Sequence, residues 1–126
     1  MIQGFSWYTL EPVRVNERHM SDTFKDVLKL IQDGDLVVSN HGYDELAEDS
    51  LTVREILSGV SDAVMVEEYP VYSKGPCVLV LQRDAKGEPI HVVWGIPKGS
   101  PSPAVLVTAY RPDPSLWSAD FLRRKP

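Results

Sequence analysis

The stretch "PCVLVLQRDAKGEPIHVVWGI", residues 76–96, constrains the fold more than any other part of the chain. Two apolar runs flank the polar turn "DAKGE", and this arrangement indicates a β-hairpin. In the simplest register, the numbers of paired residues sum to about 171. That register sets His91 opposite Val80 and brings Arg83 opposite Glu88 near the turn.

Other segments predict further strands and a first helix. "AVMVEEY" before the hairpin and "PAVLVTAYR" after it are typical of strands, and "LVVS" predicts a shorter one. "SDTFKDVLKLIQDGD" predicts an amphipathic helix, because its apolar residues recur at helical spacing. Ser21 suits the N-cap of this helix, and Gly34 suits its left-handed C-terminal position.

Two short helices are predicted between the first strand and the remaining strands. In "LTVREILSG", Thr52 and Glu55 have the spacing of a capping box. The stretch "SNHGYDELAED" also predicts a helix. We expect its apolar side to face the core, and this side is formed by Tyr43, Leu46 and Ala47. The opposite side is polar and is formed by His41, Asp44, Glu45 and Glu48.

The order of these elements indicates an α+β protein. Helices come first and strands cluster after them, so we expect a single domain at residues 21–126 with N-terminal helices packed on roughly three to five antiparallel strands. Residues 1–20 are interpreted as an N-terminal extension that packs on the domain through its aromatic residues, Phe5, Trp7 and Tyr8. The last 15 residues or so predict a proline turn followed by a short helix with Trp117 and Phe121.

Composition narrows the functional classes. The chain has 126 residues, one cysteine and a net charge of -5, which disfavours nucleic-acid binders as a class. A membrane span needs about 20 consecutive apolar residues, and no such run is present. The N-terminus lacks the pattern of a secretory signal, so we expect a cytoplasmic protein without membrane contact. Cys77 begins an apolar strand and is interpreted as a small buried residue.

The sequence predicts no metal site and no cofactor. Its three histidines and one cysteine show none of the spacings of zinc motifs, and glycine loops of the phosphate-binding type are absent. His41 and Glu45 stand four residues apart on a helix, which would allow two ligands. Such a pair is more typical of a surface contact.

General acid–base chemistry is the catalytic hypothesis that the residues leave open. If the last strand lies beside the hairpin, His91, Tyr110 and Arg111 converge near one sheet surface, with Arg83 near the turn. Histidine or tyrosine would act as base or acid in RNA cleavage, and arginine would stabilise the charged phosphorane. The alternative is that His91 is a half-buried histidine with local hydrogen bonds and that Arg83 forms a salt bridge at the turn.

A series of motifs resembles the domain of unknown function 4258. The series consists of "SNHGYDEL", "LTVREIL", "VEEYP", "GPCVLVLQRDAKGEPIHVVWGI" and "VLVTAYRPDPSLW", over about residues 36–117. The resemblance implies a fold like that of the RelE, ParE and BrnT toxins. It also implies a link to toxin–antitoxin systems and to metal-independent RNA cleavage, with His41, Arg83, His91, Tyr110 and Arg111 as candidate catalytic residues. The implied partners are RNA or a protein such as an antitoxin.

One departure from the family pattern weakens the nuclease hypothesis. Relatives commonly carry arginine four residues after the motif histidine and a second basic residue soon after. Here the corresponding positions hold Glu45 and then Glu48 and Asp49. Because acids repel phosphate, this helix is a poor RNA contact. The alternative function is a non-catalytic protein-interaction module or a homodimer, to which the aromatic residues near both ends would contribute: Trp7, Tyr8, Trp117 and Phe121.

Overall fold

The computed structural model describes residues 20–126 and, nearer the N-terminus, the backbone of one two-residue strand. In chain order the elements are β1 (Val13–Arg14), α1 (Asp22–Gln32), β2 (Leu36–Val38), α2 (Asn40–Glu48), α3 (Val53–Gly59), β3 (Val64–Tyr69), β4 (Cys77–Arg83), β5 (Pro89–Gly95) and β6 (Ala104–Tyr110). A 3-10 turn at Val60–Asp62 joins α3 to β3. The fold class is α+β, as predicted. The expected contacts of Phe5, Trp7 and Tyr8 lie outside the described residues.

The caps of α1 and α3 are confirmed. Ser21 Oγ accepts a hydrogen bond from the backbone N–H of Phe24 at 3.1 Å. At α3, Thr52 Oγ1 accepts from the N–H of Glu55, and the Glu55 carboxylate accepts from the N–H of Thr52. Each bond satisfies an N–H that has no partner within the helix, so these caps fix where the helices begin. None of the helices in the described ranges has the length and apolar content that a membrane crossing requires.

The strands form one mixed sheet with the order β1-β3-β4-β5-β6-β2. Neighbours run antiparallel except β2, which runs parallel to β6 with Leu36 opposite Ala104. The prediction of a purely antiparallel sheet is therefore wrong at this edge. A three-residue apolar run carries no signal about the direction of a partner strand that comes much later in the chain.

The β4–β5 hairpin is confirmed, but its predicted register is wrong by one residue. His91 pairs with Leu81, and Arg83 pairs with Pro89. The turn is held by the Asp84 carboxylate, which accepts hydrogen bonds from two backbone N–H groups within the turn, and Gly87 adopts a φ of 82°. The register follows from this turn geometry, and the sequence pattern alone does not specify it.

Helix α2 is turned about its axis relative to the prediction. Its buried residues are Gly42, Glu45 and Leu46, whereas Tyr43 is 57% exposed and Ala47 is also exposed. The cause is close backbone contact with β6: a Cβ added to Gly42 would lie 2.8 Å from the Leu106 carbonyl oxygen. Only glycine fits this contact without displacing the helix.

Both faces of the sheet are buried. The helices cover one face, where Phe24, Val27, Leu46 and Ile56 meet strand residues such as Val80. The opposite face carries a second core, which contains Val66, Tyr69, Cys77, Leu79, Leu81, Val93, Tyr110 and Trp117. Residues 112–126, here named the C-terminal segment, pack over this face. In place of the predicted helix, the segment forms turns and an isolated bridge between Trp117 and Arg124.

Candidate functional site

His91 lies on β5 with its side chain wholly buried beneath the C-terminal segment. Its Nδ1 is 3.1 Å from the Tyr110 hydroxyl, and its Nε2 is 2.8 Å from the carbonyl oxygen of Phe121. Because a carbonyl only accepts, Nε2 carries the proton and Nδ1 accepts from the Tyr110 hydroxyl. The Trp117 ring stands edge-on to the imidazole, with the centroids 4.4 Å apart. Both ring nitrogens of His91 are therefore engaged inside the fold.

Burial lowers the pKa of His91 to about 4, because the imidazolium loses its hydration. The hydrogen bond to Phe121 opposes this shift without cancelling it. The ring is therefore neutral at pH 7. A general base must reach the proton that it abstracts, and His91 is enclosed by Trp117 and Phe121.

Arg111 follows Tyr110 at the end of β6, but its guanidinium is bound to the hairpin turn. Nη2 donates to Asp84 Oδ2 at 2.7 Å, and Nη1 donates to the Pro89 carbonyl at 3.2 Å. The backbone N–H of Arg111 donates to Asp49 Oδ2 at 2.8 Å. The pKa of Asp84 is lowered by backbone hydrogen bonds in the turn and by Arg111. Arg111 therefore fastens the end of β6 to the hairpin and to the end of α2.

Arg83 is exposed at the end of β4, where its Nη1 donates to the Gly87 carbonyl at 3.0 Å. It lines a depression of about 420 Å³ together with Asp62 and Asp84. These two acids would repel a phosphate, so the surroundings of Arg83 disfavour an RNA backbone.

His41 lies in the first turn of α2, where 41% of its side chain is exposed. Its Nε2 is 3.3 Å from Glu45 Oε1, one helical turn on. Glu45 is only 5% exposed, and this burial raises its pKa. In the part of the chain that the structure describes, no three residues of the metal-ligating types come together, so His41 and Glu45 gain no further ligand there.

The serine of the "SNHG" stretch has a structural role that explains this spacing. Ser39 Oγ accepts from the Gly42 N–H at 2.8 Å as the N-cap of α2. The same hydroxyl donates to the Val107 carbonyl at 2.9 Å, and the Ser39 N–H donates to the Leu106 carbonyl at 3.1 Å. The serine and the small residue three positions later thus dock α2 on β6.

The five candidate catalytic residues do not form one site. His91 and Tyr110 are in contact under the C-terminal segment. Arg83 and Arg111 are bound at the β4–β5 turn. His41 stands apart from both groups, at a pocket that includes residues from the opposite end of β4 and β5.

That pocket, here named the His41 pocket, was missed by sequence reasoning. It is a cavity of about 200 Å³ between the start of α2, the β3–β4 loop and the ends of β4, β5 and β6. Its lining residues are Ser39, His41, Tyr72, Lys74, Gly75, Pro76, Cys77, Gly95, Ile96, Pro97, Val105 and Val107. The available signals were the loop "YSKGP" and the glycine that interrupts "HVVWGI".

A charged cluster holds the C-terminal segment to β3. The Arg124 guanidinium donates from Nε to Glu67 Oε2 at 2.7 Å and from Nη2 to Glu67 Oε1 at 2.8 Å. The Tyr69 hydroxyl also donates to the Glu67 carboxylate. Arg124 Cζ lies 4.9 Å from the centroid of the Trp117 ring, in cation–π geometry. Arg124 thus takes part in closing the second core.

Comparison with known proteins identifies the family. Residues 38–111, more than half of the chain, match the family described as Domain of unknown function (DUF4258). The chain belongs to the DUF4258 family. No curated protein and no solved structure matches it.

The DUF4258 region and the C-terminal segment contribute different parts of the closed sheet face. The region includes His41, Arg83, His91, Tyr110 and Arg111. The C-terminal segment, which lies beyond it, supplies Trp117, Phe121 and Arg124. In this member of DUF4258, residues outside the matched region therefore enclose two of the candidates, His91 and Tyr110.

Proposed function

We propose that this DUF4258 protein is a non-catalytic protein-interaction module. The observation that carries the proposal is the engagement of His91 by Tyr110 and Phe121 beneath the C-terminal segment. Arg111 is likewise engaged by Asp84. Groups that would transfer protons or stabilise a phosphorane are used as structural contacts, so they are unsuited to the RNA cleavage that the resemblance to RelE, ParE and BrnT implies.

The electrostatics of α2 also favour a protein partner over RNA. Asp44 and Glu48 are exposed on this helix, and Glu45 lies beneath them. The chain as a whole carries a net charge of -5. Phosphate backbones bind surfaces rich in lysine and arginine, so this helix repels RNA.

The surface that we assign to the partner is the β2–α2 edge, defined by Val37, Tyr43 and Asp44. Val37 is 49% exposed on β2, and Tyr43 is 57% exposed in the first turns of α2. In the described sheet β2 is the last strand, with β6 on one side. A sheet edge can accept an added strand, and an exposed tyrosine is a common interface residue. A partner segment with apolar and basic residues fits this edge.

A photo-crosslinking experiment tests the proposal. Benzoylphenylalanine is placed at position 43, and a matched control carries it at position 86, where Lys86 is exposed in the β4–β5 turn. We expect a discrete protein adduct from position 43 only. Light scattering after gel filtration then distinguishes the partners, since a dimeric mass identifies a second copy of this chain. Equal adducts at both positions, or none, would contradict the proposed surface.

A separate assay addresses catalysis. Purified protein is incubated with single-stranded and hairpin RNA, and we expect no cleavage above the buffer control. Cleavage by the wild-type chain that disappears in Arg111→Lys or His41→Ala, with both variants folded by circular dichroism, would overturn the non-catalytic assignment.

A further inference from the structure

The His41 pocket adjoins the β2–α2 edge but is lined by none of the three residues that define that edge, and its chemistry points to a ligand of its own. We propose that it binds a small organic monocarboxylate with a compact apolar body, such as a single ring or a branched chain. This inference does not depend on the proposed protein contact. It rests on the shape of the pocket, the apolar character of its walls and the sign of the charge at its mouth.

The pocket has space because Gly95 carries no side chain. Gly95 ends β5, and a Cβ at this position would lie 3.3 Å from Cys77 Cβ and 3.5 Å from Val107 Cγ2. Any larger side chain would project into the cavity that these residues line. Just before Gly95, the pairing of β5 with β6 shifts between Val93 and Trp94. The backbone of Gly95 and the irregular β5–β6 pairing beside it therefore shape this side of the pocket.

The walls suit an apolar body of limited size. Cys77, Ile96, Val105 and Val107 line the cavity with apolar atoms. Its volume of about 200 Å³ is below the roughly 300 Å³ of the smallest pockets for drug-sized ligands. Burial raises the pKa of Cys77 to about 12, so this residue contributes a neutral thiol surface and no nucleophile. The geometry thus favours a fragment-sized, non-covalent ligand.

The mouth of the pocket is cationic in an acidic protein. The chain has 18 acidic and 13 basic residues, yet among the residues that the structure describes, none of those that line the pocket is acidic. Lys74 and His41 both line it, and α2 begins there with its positive dipole end. Glu45 contacts His41 but does not line the cavity. A monocarboxylate ligand would place its carboxylate beside Lys74 and its apolar group against Val107. It would then match both the positive charge and the apolar walls of the pocket.

Titration by two-dimensional amide NMR tests the proposal with phenylacetate as the probe. Phenylacetamide is the neutral analogue of the same shape, and phenethylamine is the cationic one. We expect saturable shifts at Gly75, Gly95 and Ile96 with phenylacetate, and binding about tenfold weaker or undetectable with the other two. Uridine monophosphate serves as the nucleotide probe, and we expect it to bind more weakly than phenylacetate.

Charge variants assign the effect to the pocket. Lys74→Glu should weaken phenylacetate binding about tenfold or more, whereas Lys86→Glu at the far turn should leave it within about twofold. Both lysines are exposed, so both variants are expected to fold. Absence of saturable binding, equal binding of the amide, tighter binding of the nucleotide, or equal effects of the two lysine variants would each overturn the proposal.

Discussion

His91 Nε2 lies 2.8 Å from the carbonyl oxygen of Phe121, and this hydrogen bond joins a central strand to the C-terminal segment. The contact gives His91 a physical role that its position in a hairpin does not reveal. Together with the Tyr110 hydroxyl and the Trp117 ring, it closes one face of the sheet. A residue that is a candidate base in the sequence is therefore a buried structural contact in the fold.

Removal of the His91 ring should destabilise the protein strongly. His91→Ala leaves the Phe121 carbonyl and the Tyr110 hydroxyl without this partner and opens a cavity, so the free energy of unfolding should fall by about 2–4 kcal/mol. Tyr110→Phe keeps the ring and removes one hydroxyl, so its cost should be only about 1 kcal/mol. Urea denaturation measures both. Losses of equal size, or a His91→Ala loss below that of Tyr110→Phe, would contradict this assignment.

The same histidine should make stability depend on pH. The pKa of His91 is lowered from 6.5 to about 4 in the folded protein. The unfolded chain therefore binds the proton first as pH falls, and stability that is complete above pH 6.5 is lost between about pH 6.5 and 4, by about 3 kcal/mol in total. His91→Gln should flatten the curve in this range, whereas the lowered pKa values of Asp84, Asp113 and Asp120 place their titration below it. Parallel curves for the two proteins would show that His91 does not supply the slope.

Gly42→Ala should be destabilising even though glycine is normally the poorer helix former. The added Cβ would meet the carbonyl oxygens of Leu106 and Val107 at 2.8 Å and 3.2 Å. We expect a loss of about 1–3 kcal/mol, because the helix must move away from β6. Ala47→Gly, on the exposed side of α2, should cost about 1 kcal/mol by propensity alone. If Gly42→Ala stabilised the protein, the close contact between helix and strand would be disproved.

Two adjacent arginines provide a matched test of how the C-terminal segment is held. Arg124→Ala removes both hydrogen bonds to Glu67 and the cation–π contact with Trp117, so the expected loss is about 1–3 kcal/mol. The side chain of Arg123 is exposed, and Arg123→Ala should change stability by less than about 0.5 kcal/mol. The two variants have the same change in charge. Thermal unfolding measures both variants. Equal shifts of the melting temperature would mean that the loss of a positive charge, and not the loss of the Glu67 contact, lowers the stability.

Local signals in the sequence predict the elements whose structure depends on neighbouring residues. Ser21 and the Thr52–Glu55 box set the starts of α1 and α3 as expected, because a cap and its N–H partners lie within one turn. The β4–β5 hairpin forms for the same reason. The register differs by one residue because Asp84 and Gly87 shape the turn, which apolar alternation does not encode.

Contacts between distant parts of the chain account for what the sequence does not predict. The parallel pairing of β2 with β6 and the rotation of α2 both depend on strand β6. The burial of His91 depends on Phe121 and Trp117, which lie in an irregular segment without periodic signal. The His41 pocket likewise combines residues from four parts of the chain, at 39–41, 72–77, 95–97 and 105–107. Spacing in the sequence therefore could not show that His91 is buried or that this cavity exists.

Direct titration of the His91 ring by NMR, with histidine labelled in nitrogen-15, is the most decisive measurement. If the ring is enclosed and bound as described, its nitrogen shifts should report a neutral imidazole protonated at Nε2, and should stay unchanged from pH 8 down to about pH 5. A His91 ring that titrates between about pH 6 and 7.5 would show that it reaches solvent, and would contradict the structural role on which the proposed function rests.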